Sequence, residues 1–176
     1  AEMTKLVENS FRDVNIAFSN ELSIICDKKG IDVHEVIALA NRHPRVNILT
    51  PATGVGGHCI PVDPWFIVAE NKEDAKLIHQ ARLINDYKPR YIAQKMINLA
   101  LKENINKLVI LGLTYKPNVD DFRESPAFDV IDELLENSEL KIFVHDQFIN
   151  KLSKLDERFK IIELENIDSS YIVLLN

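Results

Sequence analysis

The sequence predicts an α/β protein in which a helical first part is joined by a long helix to a parallel sheet. Three observations carry that expectation. Residues 2–29 place apolar side chains at 3, 7, 11, 14, 18, 22 and 25, close to the helical period. Leu108-Val109-Ile110-Leu111-Gly112 and Lys141-Ile142-Phe143-Val144 are short apolar runs of the kind buried in parallel sheets. Between them lies Ser125-Pro126, a residue suited to cap a helix followed by a proline suited to its first turn.

Taken in order, the first helix should stop at Gly30, where a left-handed cap is easily made. Asp32 and Glu35 have capping-box spacing and start a second helix that runs to about Asn41. Residues 42–64 carry proline and glycine repeatedly and read as loop. Helix resumes over 72–103, starting as early as the Trp65–Ala69 region and bent near Pro89. After Lys107 come the first strand, a polar loop over 114–124, a helix from Pro126 to about Asn137, and the second strand, ending at His145-Asp146. Phe159–Ile162 and Tyr171–Leu175 read as the third and fourth strands. Strands alternating with helices predict helices on both faces of the sheet. The expected division is 1–80 helical, 81–104 a connecting helix, and 105–176 the sheet domain. The chain opens inside a helical pattern without an initiator Met and stops on a strand-like run, so a longer parent protein is expected.

Composition narrows the function. The 176 residues are 46% apolar, enough for a packed core, and carry a net charge of −6 with both signs interspersed. That balance argues against a nucleic-acid binder, which would show a basic stripe. No apolar run approaches bilayer length, so no membrane partner is expected. Two cysteines, Cys26 in a helical pattern and Cys59 in a loop, make no disulfide framework and point to a reducing cytoplasm.

The most informative stretch is Gly54-Val55-Gly56-Gly57-His58-Cys59-Ile60-Pro61-Val62-Asp63-Pro64-Trp65-Phe66. Gly56 and Gly57 allow a tight turn just before a lone thiol, and a carboxylate, Asp63, follows four residues later. A lone cysteine is commonly a packing residue, but here each special residue has a chemical use. His58 is a possible base for the thiol, although neighbours in an extended segment point apart. One His beside one Cys, with no second pair at ligand spacing, makes no metal site. Lys5 and Asn9 lie one turn apart on one helical face: a solvated polar face, or an ammonium and an amide aimed at one substrate. Arg45 precedes the Gly-rich turn, as a surface residue or a grip on phosphate or sugar. In the loop Gly112–Pro126, Lys116 and Arg123 can reach a phosphate, or pair with Asp120, Asp121 and Glu124. That loop is not a Gly-x-Gly-x-x-Gly turn.

Three of these segments, in this order, resemble the UDP-glucose/GDP-mannose dehydrogenase family, which oxidises nucleotide sugars to uronic acids. Lys5-x-x-x-Asn9 is similar to the start of its central, dimerising domain. Gly56-Gly57-His58-Cys59-x-x-x-Asp63 is similar to its nucleophile loop. Lys116 to Pro126 is similar to the signature loop of its Rossmann-like UDP-binding domain. The resemblance covers essentially the whole chain. It implies a homodimer or higher oligomer, a UDP-sugar substrate and NAD as cofactor. It further implies that Cys59 attacks a C6 aldehyde, that the thiohemiacetal is oxidised to a thioester, and that water releases the acid. Lys5 and Asn9 would then stabilise the oxyanion and place water, and Asp63 would deprotonate that water. Gly56, Gly57, His58 and Lys116 would contact substrate, and Arg123 cofactor. Arg45 lies a couple of residues out of register with a sugar-nucleotide-binding Arg that is often donated across a dimer.

His58, Pro61, Pro64 and Trp65 resemble the branch acting on UDP-N-acetyl-D-mannosamine. UDP-N-acetylglucosamine and UDP-glucose are the alternatives, and Val62 stands where the UDP-glucose branch usually has Lys. The family's NAD-binding domain would precede this chain, so the chain alone is expected to be inactive. Two other classes stay open: a non-catalytic nucleotide-binding dimerisation module, and a thiol hydrolase or aldehyde dehydrogenase.

Overall fold

The computed structural model describes residues 2–151 and 158–175. They divide into two compact units, residues 1–88 and 89–176.

In the first unit, α1 spans Glu2–Lys29, α2 Val33–Ala40 and α3 Asp63–Glu70. Helix α4, Lys76–Glu103, begins here and continues into the second unit. Gly30 ends α1 at φ 66°, with Ile31 N–H on the Cys26 carbonyl (3.0 Å) and Gly30 N–H on that of Asp27 (3.1 Å). This is the paired Schellman closure, and it needs the left-handed residue that glycine supplies most easily. Asp32 caps α2 through the His34 N–H at 2.8 Å.

Two expectations are corrected. Residues 63–70 are not the start of the long helix but a separate helix. Asn71–Ala75 separates α3 from α4. Asp63 and Pro64 are likewise not loop: they open α3, with Pro64 in its first turn, where a missing N–H costs no helical bond. Pro89 lies inside α4, which remains one helix around it.

In the second unit, β1 (Lys107–Leu111), α5 (Pro126–Asn137), β2 (Lys141–His145), β3 (Lys160–Ile161) and β4 (Ile172–Leu175) follow in order. Asn104, at φ 54°, closes α4 much as Gly30 closes α1, and turns the chain into β1. The sheet is parallel throughout, in the order β3-β2-β1-β4. Direction along the sheet therefore reverses between β1 and β4, and open α/β sheets bind ligands beyond the strand ends at such a point. Leu108, Ile110, Ile142, Val144 and Ile172 share one face by alternation, and they are buried with Ala93, Ile97 and Ala100 of α4 and Ala127, Val130, Ile131 and Leu134 of α5. Both helices thus contribute to the core on that one face.

The loop after β1 is fastened from β2. Asp146, just past that strand and buried, accepts the Leu113 N–H (2.7 Å) and Thr114 N–H (3.3 Å) on one oxygen and the Phe148 N–H (2.7 Å) on the other. Asp146→Ala would strand these donors and is expected to cost about 1–3 kcal/mol. Hydrogen exchange should accelerate selectively at Leu113, Thr114 and Phe148. Unchanged protection there would show that the carboxylate does not hold the loop.

Candidate functional site

The thiol loop and its partners lie in the first unit. Gly57, buried and at φ 89°, makes the turn before the thiol, a conformation that L side chains rarely adopt. His58 is exposed and Cys59 is partly exposed. The Cys59 carbonyl accepts the Val62 N–H (3.1 Å) and the Asp63 N–H (2.8 Å). These bonds wind the chain into α3 and set Asp63 one turn beyond the thiol. Helix α3 packs on α1, and there the buried Asn9 Nδ2 donates to Asp63 Oδ2 at 2.6 Å. Asn9 and Asp63, 54 residues apart, are thus joined directly. Lys5 is exposed one turn earlier on α1. Arg45 is also exposed, and its backbone N–H donates to His43 Nδ1 at 3.2 Å.

Lys116 and Arg123 lie in the loop after β1. Lys116 is exposed, and its carbonyl accepts the Thr114 hydroxyl at 3.2 Å. Arg123 is engaged by Asp121, through Nε at 2.9 Å and a terminal nitrogen at 2.6 Å. Asn118 and Glu124 hold positive φ of 60° and 48° without being glycine, so the loop has a specific, locally strained path. Among the described residues, the loop after β1 lacks the glycine pattern of a dinucleotide-binding turn. Gly112 is the loop's single glycine, and Asp146, at the strand end where a ribose-binding carboxylate would sit, spends both oxygens on its own backbone.

Sequence reasoning missed a buried polar network in the first unit. Asp13 and Asn20 of α1 and Arg82 and Asn85 of α4 are almost wholly buried. Arg82 donates to Asp13 Oδ1 at 2.6 Å and also pairs with Asp86. Asn85 Nδ2 donates to Asp13 Oδ1 (2.8 Å) and to the Asp13 carbonyl (3.1 Å). Asn20 Nδ2 donates to Asn85 Oδ1 at 2.9 Å, and Asn20 Oδ1 accepts the Ala52 N–H at 2.8 Å. Burial pushes the Asp13 carboxyl above its ordinary range, while Arg82 and Asn85 pull it back. The one available signal was the spacing Asn9, Asp13, Asn20, a polar stripe at helical period.

The family model for the central domain of the UDP-glucose/GDP-mannose dehydrogenases matches residues 1–87, and that for their UDP binding domain matches residues 109–175. The chain belongs to the UDP-glucose/GDP-mannose dehydrogenase family. Among its relatives, the UDP-N-acetyl-D-mannosamine dehydrogenase of Campylobacter jejuni is 57% identical over 86% of this chain and 37% of its own. The NDP-N-acetyl-D-galactosaminuronic acid dehydrogenase of Ralstonia nicotianae is 51% identical over 86% and 36%. The solved UDP-N-acetyl-mannosamine dehydrogenase of S. aureus is 47% identical, with a TM-score of 0.78 over 89% of this chain and 36% of that one. The chain therefore spans little more than a third of the length of these dehydrogenases. The Cys59 loop, α1 and α3 fall within the central-domain match, and the loop carrying Lys116 and Arg123 within the UDP-binding match.

Proposed function

We propose that this chain is the central and UDP-binding part of an NAD-dependent nucleotide-sugar 6-dehydrogenase, with UDP-N-acetyl-D-mannosamine as substrate and its uronate as product. The carrying observation is the Asn9–Asp63 hydrogen bond, which joins an α1 amide to the carboxylate that lies one turn beyond Cys59 in the chain. Names of the most similar relatives support the substrate, and the Ralstonia relative makes a different hexosamine the nearest alternative.

Cys59 Sγ adds to the C6 aldehyde and holds the sugar covalently. Asn9 has a second amide hydrogen for the oxygen that becomes negative, and Lys5, one turn away on α1, adds charge. Asp63, oriented by Asn9, takes the proton of the water that releases the acid. Gly56 and Gly57 let the backbone approach the sugar. His58, Arg45 and Lys116 would contact substrate, and Arg123, paired with Asp121 here, would contact the cofactor. NAD would supply the hydride acceptor, and no dinucleotide cradle is seen among the described residues. The exposed stripe Met3, Val7, Phe11, Phe18 and Ile25 on α1 is the surface through which two copies pair.

Thiol chemistry tests the reading. Iodoacetamide should alkylate Cys59 about tenfold or more faster than the buried Cys26, and UDP-N-acetyl-D-mannosamine should slow Cys59 alone. Equal rates, or no protection, would favour a non-catalytic nucleotide-binding module.

A further inference from the structure

We infer that Asn20 is a positioning residue for the nucleophile loop, the upstream one of two tethers that hang the loop on α1. The inference rests on the proposed role of Cys59. The downstream tether is Asn9 on Asp63, at 2.6 Å, and the upstream one is Asn20 on the Ala52 N–H, at 2.8 Å. Asn9 and Asn20 are eleven residues apart in the helix, and Ala52 and Asp63 are eleven apart in the segment they hold. Eleven helical residues are three turns, so both amides lie on one face of α1, about 16 Å apart along the axis. Fully extended, the seven residue steps from Ala52 to Cys59 alone reach up to roughly 23 Å, and the last four steps to Asp63 are wound into a turn on the Cys59 carbonyl. The held segment is thus longer than the axial span between its tethers, and it bows out between them.

Gly54, Gly56 and Gly57 lie within that bow, where they widen the choice of paths. Fixing both ends narrows the choice and so determines where Cys59 is presented. The upstream tether is itself rigid. Asn20 is fully buried, and its Nδ2 is held by Asn85, which is held by Asp13. Ala52, by contrast, is exposed. The bond therefore ties an exposed residue of the loop to a buried amide that the α1–α4 network already orders.

The test uses the full-length dehydrogenase that contains this sequence. Asn20→Ala should lower kcat about tenfold or more, since a small misplacement of a reacting group has that effect. KM for the UDP-sugar should change less than kcat, because the match to the UDP binding domain lies over residues 109–175, outside the loop. Ala52→Pro removes the same N–H from the loop side and should lower kcat similarly, which decides the matter if Asn20→Ala does not fold. Ser23→Ala, which cuts the Ser23 hydroxyl's ties to Lys88 of α4 and to the Asn20 carbonyl but leaves the Asn20 side-chain bonds in place, should leave kcat unchanged among folded molecules.

Normal kcat in Asn20→Ala or Ala52→Pro would overturn the tether. So would an equal fall in Ser23→Ala, which would show that kcat merely follows stability. Cys59→Ser separates the two ideas. If it still forms acid, the nucleophile reading fails. If it does not, and the tether variants are normal, only the tether fails.

Discussion

Cys59→Ser in the full-length dehydrogenase is expected to abolish release of the uronic acid, with a loss of about 10³-fold or more. A thiol is partly ionised near neutral pH and its thiolate is a strong nucleophile, whereas a serine hydroxyl needs a strong base to act. The acyl step adds a second penalty, because sulfur leaves carbon more readily than alkoxide does. Serine is close to cysteine in size and the site is partly exposed, so the Val62 and Asp63 N–H bonds to the residue 59 carbonyl should survive. A matching thermal melt with lost acid formation would locate the defect in the chemistry. The readout is uronate by mass spectrometry, and acid formed at the parent rate would remove Cys59 from the mechanism.

What the sequence made legible was local. The bounds of α1, the stop at Gly30, the Asp32 cap and the strands at 107–111 and 141–145 follow from periodicity and capping within a few residues. The thiol loop was legible for the same reason, since Gly57, Cys59 and Asp63 are neighbours in sequence. Pro64 misled because proline breaks a helix interior yet suits a first turn, and only the downstream partner surface decides which applies. The tethers were not legible. Asn9 meets a partner 54 residues away and Asn20 one 32 away, and no local pattern encodes such a pairing. Helix α1 also reverses the usual reading of amphipathicity. Asn9, Asp13 and Asn20 are buried while Phe11 and Phe18 are exposed, because the buried polar groups are answered by α3 and α4.

Arg82→Met should be the most destabilising single change in the first unit, at about 3–5 kcal/mol, because it leaves the Asp13 carboxylate buried without its cation. The ion pair as a whole is worth far less than that. Asp13 Oδ2 and Arg82 Nε are buried with no hydrogen-bond partner, so part of the desolvation cost is unanswered even in the intact pair. The double variant Asp13→Leu/Arg82→Met removes both charges and is expected to be more stable than Arg82→Met alone. Asn85 would keep the residue 13 carbonyl as an acceptor, now 3.1 Å away. The pH dependence has a definite sign. Burial already raises the Asp13 carboxyl above 3.8, and losing Arg82 raises it further. A raised acid is stabilising in its protonated form, and that contribution fades as pH climbs from the unfolded value through the folded one. The stability gap between parent and Arg82→Met should therefore narrow as pH falls from neutrality toward 4. Urea titrations across that range measure it, and a gap that widened on acidification would mean that Asp13 is not the charge left stranded.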